Sequence, residues 1–273
     1  MTFLVPTDFS DLSRVAVIYA AGLAKTLNAK IVLAAVINVN PTSETLWHSK
    51  KLEEEMIASA QQDANELTTG LREMGVDVVF HSVVGFPFDE VIEQMVTEHK
   101  ADMIVMGSKG ATGLKKVLLG SNAVAVINNS SVPVVVVPGG VTYSPVQKIV
   151  YATDMSRYHD ETKTVALFAR LFNAGVQLLH VIPKNSVKQT DEEQLTAELV
   201  RLTDYPKISF HVSKNDHIAE EVDRFVSETN ADMLAMFTHR LDFYEKLFGR
   251  SVTRQLAFHG KVPLLTFNKT TLL

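Results

Sequence analysis

Residues 3–11, FLVPTDFSD, return as IVYATDMSR at 149–157, 146 positions later. Outward from that pair the likeness continues. LAKTLNAKIVLAAVI (23–37) is matched by FARLFNAGVQLLHVI (168–182), and ADMIVM (101–106) by ADMLAM (231–236). LLGSNAV (118–124) is matched by LFGRSVT (247–253), and SVPVVVVP (131–138) by KVPLLTFN (261–268). A period this long is a whole domain and not a solenoid repeat. The offset falls from 146 to 130 between the outer matches, so the second copy is shorter in its middle. The chain is read as a tandem duplication with domains at 1–140 and 146–273, joined by GGVTYSP (139–145).

Each copy alternates short β-branched runs with helical patterns. In the first copy strands are predicted near 3–6, 31–37, 76–83, 102–106 and 133–137, and helices near 11–27, 43–74, 88–99 and 121–129. In the long helix, Leu52, Met56, Ala60, Ala64, Leu67, Leu71 and Met74 recur at steps of three and four, which predicts one buried stripe. IVLAAVI and PVVVV are apolar on both faces, as strands are when helices cover both sides of a parallel sheet. Short connections then require right-handed crossovers. The fold class is α/β: two tandem doubly wound domains, each with a five-stranded parallel sheet.

The composition narrows the function. The 273 residues carry a formal net charge of -5, whereas a nucleic-acid binder usually clusters Lys and Arg; no nucleic-acid partner is expected. The chain has no Cys, which removes disulfides, thiolate metal ligands and a cysteine nucleophile. No apolar run reaches the length of a membrane span, and MTFLVPTDFSD has an acidic residue at position 8 and no basic start, unlike a secretory signal. A cytoplasmic protein with no membrane partner is expected. The histidines are scattered, and the nearest pair in the second copy, His211 and His217, lacks metal-ligand spacing. No Gly-x-Ser-x-Gly elbow occurs.

The most informative loop follows the fourth strand: GSKGATGLKKVLLGSN, 107–122. In an open parallel sheet, ligands bind beyond the carboxyl ends of the strands where strand order reverses. Three segments should converge there: PTDFS after the first strand, AAVIN after the second, and MGSKG after the fourth. Gly107, Gly110 and Gly120 let bare main-chain amides approach an anion. Ser121 stands where the next helix begins and is expected to be its N-cap, and a helix N-terminus suits phosphate. From the residues alone two readings stay open, because the same glycines could simply punctuate a βα loop. Asp8 could equally be a turn or capping residue, and Met106 plain core. Neither Gly-x4-Gly-Lys-Ser/Thr nor an early Gly-x-Gly-x2-Gly is present.

The spacing Gly-x2-Gly-x9-Gly-Ser after a strand resembles the nucleotide motif of the universal stress protein family, position for position at Gly107, Gly110, Gly120 and Ser121. The Asp-bearing turn, VPVVVVP as last strand and the doubled layout extend the resemblance over essentially the whole chain. It implies a Rossmann-like, adenine nucleotide alpha hydrolase-like fold and ATP or a related adenine nucleotide as ligand, with or without Mg2+. It places Thr7 and Asp8 near the adenosine, Val36 and Met106 on the base and ribose side, and Gly107, Gly110, Gly120, Ser121, Asn122 and Ala123 around the phosphates. A role in stress response or signalling follows from the resemblance.

The second copy departs from the motif. MFTHRLDFYEKLFGRS carries Phe237 where Gly107 stands, has no counterpart of Gly110, and keeps only Gly249. Asp154 persists in ATDMS. Nucleotide binding is therefore expected in the first domain only, with the second as a pairing partner whose Phe237, Phe243, Tyr244, Leu247 and Phe248 either fill the vacated cleft or face another surface. Arg240, Arg250 and Arg254 are read as solvated charges, or as a site for a smaller anion. No carboxylate pair near the glycine loop suggests a dedicated base, and Lys109, Lys115 and Lys116 are read as surface groups, so no catalytic or metal-ligating residue is assigned. Leu46 and Trp47 are read as a core anchor or a partner-facing patch. Pairing of the two domains through VPVVVVP and VPLLTFN, and homodimerisation, are expected. A nucleotide-free interaction scaffold and a slow ATPase are the alternatives.

Overall fold

The computed structural model describes residues 1–38, 46–108, 117–187, 190–238, 257–258 and 262–268. The chain divides into two compact units, Met1–Lys109 with Gly120–Tyr143, and Ser144–Leu273 with Gly110–Leu119.

The first unit runs β1 (Thr2–Pro6), α1 (Asp11–Leu27), β2 (Lys30–Ile37), α2 (Leu46–Glu73), β3 (Val78–Val84), α3 (Phe88–His99), β4 (Met103–Gly107), α4 (Ser121–Asn129) and β6 (Val134–Val137); the short β5 (Val117–Leu118), which precedes α4 in the chain, falls in the second unit. Its sheet has the order β3-β2-β1-β4-β6, parallel throughout. Leu4, Val5, Ile31, Leu33, Ile104 and Val135 are fully buried in it. α1 is started by Ser10, whose hydroxyl accepts the Ser13 N–H, and stopped by Asn28 in the left-handed region at φ 50°. Both are residues suited to those places.

The second unit runs β7 (Lys148–Ala152), α5 (Tyr158–Phe172), β8 (Gly175–Ile182), α6 (Glu192–Thr203), β9 (Ile208–Lys214), α7 (Ile218–Thr229), β10 (Met233–Thr238), β11 (Ala257–Phe258) and β12 (Leu264–Asn268). Its order β12-β10-β7-β8-β9 is again parallel and repeats that of the first unit. The residues missing from its middle are helix: α6 has 12 residues where α2 has 28. β5 pairs antiparallel with β11, so that part of the glycine-rich segment groups with the second unit.

The apolar stripe of α2 is buried only in part. Ala60, Ala64, Leu67 and Leu71 are covered, but Leu52, Met56 and Met74 are 52%, 39% and 40% exposed. A 28-residue helix spans about 42 Å at 1.5 Å per residue. The eight-residue β2 beneath it spans only about 26 Å, so the ends overhang. The side chains of Leu46 and Trp47 lie outside the described residues.

Tyr143, from the predicted connecting segment, lies on α1. Its ring meets Tyr19 edge-on at 5.4 Å, and its hydroxyl is 2.5 Å from Thr26 Oγ1. Gly22 makes room for it: a Cβ there would stand 2.2 Å from ring carbons of Tyr143. Replacing a mid-helix Gly by Ala ordinarily gains about 1 kcal/mol. Here we expect Gly22→Ala to lower the urea midpoint, and the same change in a Tyr143→Ala background to raise it. A gain in both backgrounds would show that the ring does not depend on the glycine.

Candidate functional site

The first unit reverses its strand order between β1 and β4. From β1 the chain builds outward through β2 and β3, then returns to β4 on the other side. The carboxyl ends of β1 and β4 therefore flank a crevice, and the sequence brings Thr7, Asp8 and Gly107 to it.

The turn after β1 is tightly organised. Thr7 is buried; its N–H donates to the Ala34 carbonyl at 2.8 Å, and its Oγ1 accepts the Phe9 N–H at 3.0 Å and lies 3.0 Å from Ser13 Oγ. Asp8 is exposed, and its Oδ1 accepts both the N–H and the hydroxyl of Ser10, at 3.1 and 2.5 Å. Burial pushes the Asp8 carboxyl up, but hydrogen bonds from Ser10 and Ser13 outweigh it and hold it below the usual value. Asp8 is thus a fixed, ionised turn residue, while the cap of α1 is Ser10. Ser10 and Ser13 escaped the sequence reading, although the pattern Asp-x-Ser-x-x-Ser after a strand marks both.

Gly107 ends β4 paired with Val137. Its absent side chain serves packing: a Cβ would lie 3.1 Å from the Leu12 carbonyl oxygen and 3.6 Å from Ser13 Cα. The Leu12 side chain fills a second glycine position, with Cδ2 2.8 Å from where a Cβ of Gly139 would stand. The first turn of α1 is therefore seated between two residues without side chains. Met106 is buried, as core packing requires, and half-buried Val36, the last residue but one of β2, lies opposite Val83.

The start of α4 corrects one expectation. Its N-cap is Gly120, with φ -68° and ψ 158°, and Ser121 is the first helical residue. The glycine offers no side chain to cap this end, so among the described residues the first-turn amides of Ser121, Asn122 and Ala123 receive no side-chain capping oxygen. The crossover from β4 to β6 places this helix start at the carboxyl end of the sheet, the same end as Asp8. Gly110, Lys109, Lys115 and Lys116 lie outside the described residues.

In the second unit the Asp-bearing turn is kept. Thr153 N–H donates to Leu179 carbonyl at 3.0 Å, Thr153 Oγ1 accepts from Met155 N–H, and Asp154 Oδ1 from Ser156 N–H. Met155 has φ 66°, as Phe9 has φ 60°. The strand ends differ. Phe237, in the place of Gly107, is 3% exposed and stacks on Phe267 at 5.0 Å; Tyr151 meets it edge-on at 5.8 Å. Phe168 of α5 closes the group against Phe267. Burial and the adjoining Glu161 carboxyl, to which the Tyr151 hydroxyl donates, push that phenol well up. Phe237 is thus packed into the interior of the second unit and not turned to another surface. Phe243, Tyr244, Leu247, Phe248, Gly249, Arg240, Arg250 and Arg254 lie outside the described residues.

A charged network sits beyond β9. Glu221 of α7 is 3% exposed and accepts from Arg224, Ser213 and Asn215, and Arg224 also reaches Glu228. The hydrogen bond from Arg224 outweighs burial and brings the Glu221 carboxyl down to about 2. Among the described residues no group of three or more His, Asp or Glu side chains could hold a metal, and no helix is long and apolar enough to cross a membrane.

Fold and site together define a duplicated doubly wound α/β protein whose first copy sets a glycine-capped helix start at the same end of the sheet as an Asp-bearing turn. The universal stress protein family profile matches residues 1–138 and again 145–268, and the chain belongs to that family. It is 36% identical over 140 residues to universal stress protein MJ0531 of Methanocaldococcus jannaschii, covering 49% of this chain and 79% of that one. It is 30% identical over 153 residues to universal stress protein MJ0577 of the same organism, covering 49% and 92%. The crystal structure of a universal stress protein from Archaeoglobus fulgidus shares the fold across both copies, with TM-score 0.74, 98% coverage of each chain and 23% identity.

The Glu221 network makes a prediction with a definite sign. Its carboxyl lies at about 2 in the folded chain against an ordinary 4.5, so its contribution is complete above about 4.5 and fades as pH falls towards about 2. We expect Glu221→Gln to cost about 1–3 kcal/mol at neutral pH, and its urea midpoint to converge on the wild-type value as pH falls through that window. A gap that stays constant would show the ion pair to be unimportant.

Proposed function

We propose that the first domain, 1–140, binds ATP or a related adenine nucleotide, and that the second, 146–273, has lost that capacity and serves as its structural partner. The observation that carries this reading is the contrast between copies. One has a helix start with glycine as its N-cap and a glycine at the end of β4. The other has that strand end filled by stacked Phe237 and Phe267. Unpaired amides at a helix N-terminus suit a phosphate chain. In this reading Ser121, Asn122, Ala123, Gly107, Gly110 and Gly120 surround the phosphates. Thr7 and the immobilised Asp8 face the adenosine, where a carboxylate accepts a sugar hydroxyl or a base amine. Val36 and Met106 wall the base and ribose. Mg2+, where present, travels with the phosphates. The bound state acts as a signal in a stress response, and turnover is not its purpose.

Calorimetric titration of the full chain with ATP, ADP and AMP tests this. One site per chain is expected, with Asp8→Ala and Gly110→Val each weakening ATP binding about tenfold or more. Two equivalent sites would overturn the assignment to one domain. No binding by the wild type would leave an interaction scaffold, and steady phosphate release abolished by Gly110→Val would establish a slow ATPase instead.

A further inference from the structure

β3 forms one edge of the sheet of the first unit, and β9 holds the matching place in the second. The two edges are finished differently. On β9 the outward amides are taken by α6: Phe210 N–H donates to Thr196 Oγ1 at 3.0 Å and Val212 N–H to Glu192 Oε1 at 3.2 Å. On β3 the ladder to β2 fixes which groups point inward, since Ile31 N–H donates to the Asp77 carbonyl and Gly85 N–H to the Ile37 carbonyl. By alternation Phe80, Ser82 and Val84 aim their N–H groups away from the sheet. Among the described residues none accepts from these three N–H groups; of the outward groups, the Val78 carbonyl at the start of the strand is taken by Arg72 Nη2 at 3.1 Å. The apolar side chains nearby are exposed: Val84 by 39% and Phe86, two residues on, by 75%. Soluble chains normally protect such an edge with charge, proline or a covering side chain, as β9 does.

The strand's own sequence says what fits it. VVFHSVV, 78–84, reads almost identically in both directions about His81. An antiparallel pairing about a two-fold axis at His81 sets Val78 against Val84, Val79 against Val83 and Phe80 against Ser82. In that register the residues with outward main-chain groups face one another, so Phe80 and the partner subunit's Ser82 exchange both N–H···O bonds. A slip by one residue would set bonding residues against non-bonding ones.

We propose that β3 is the docking strand for a second copy of this chain, forming an edge-to-edge antiparallel dimer centred on His81. The pairing is independent of the nucleotide reading. It is sensitive to acid. His81 stands 4.5 Å from His99 of α3, ring to ring, with Lys30 and Glu98 as its other charged neighbours. Burial and the positive neighbours keep its imidazole below the usual value. At the axis it meets the partner subunit's His81 as a non-hydrogen-bonded pair with Cβ atoms about 4.5 Å apart, so protonation puts like charges together.

Because the chain has no Cys, His81→Cys places a single thiol on the axis at a separation a disulfide can span. On mild oxidation it should give a covalent dimer, while Lys163→Cys on α5 should not. In sedimentation the wild type should self-associate at neutral pH and dissociate towards about pH 5. Ser82→Pro, which removes an outward N–H and leaves the β2 ladder whole, should be monomeric with unchanged circular dichroism. Val84→Lys should raise the dimer dissociation constant about tenfold or more. A wild type that stays monomeric through the micromolar range, or a dimer that survives Ser82→Pro, overturns the proposal.

Discussion

The first turn of α1 rests with its main chain on Gly107 at the end of β4 and with its Leu12 side chain on Gly139 just past β6, and the position of the preceding turn follows from that contact. At residue 107 the Leu12 carbonyl leaves space for a hydrogen and little more. Because the helix is seated so low, the turn that precedes it is short. Thr7, Asp8 and Ser10 must then close it through their own side chains. The charge of Asp8 is thereby held at the mouth of the sheet instead of swinging in solvent. One steric limit on a main chain thus fixes the position of a carboxylate two elements away.

The second unit shows the same scaffold with that limit removed. Its Asp-bearing turn keeps the hydrogen bonds and the left-handed residue of the first. Yet α5 starts at Tyr158, four residues past Asp154, whereas α1 starts at Asp11, three past Asp8. Phe237 and Phe267 form a cross-strand pair whose counterparts are Gly107 and Val137. Both members of the pair changed, which is what close packing of an aromatic stack requires.

Much of this was legible in the residues. The repeat gave the two copies, alternation of β-branched and helical runs gave the parallel sheets, and glycine spacing marked the strand end. What stayed hidden depended on distant partners. Gly22 looks like an ordinary blemish in a helix until Tyr143 arrives from far along the chain. The cap of α4 fell one residue early, because a glycine in extended conformation serves as well as a serine when no side-chain bond is made. The ends of α2 kept the apolar spacing of its middle although no sheet lies beneath them, since periodicity reports a face and not its cover. Whether an edge amide is protected depends on which helix packs there, and no run of residues within β3 or β9 discloses it.

The Phe237–Phe267 stack also makes the two copies unequal in what a substitution can undo. Returning Phe237 to glycine would leave a void against Tyr151 and Phe267, and emptying a buried phenyl site costs about 3–5 kcal/mol. A domain holds only about 5–15 kcal/mol in reserve. That one replacement would therefore consume a large share of the reserve. The two halves are thus not interchangeable at this position: the bare main chain that the first needs beneath Leu12 would leave a hole in the second.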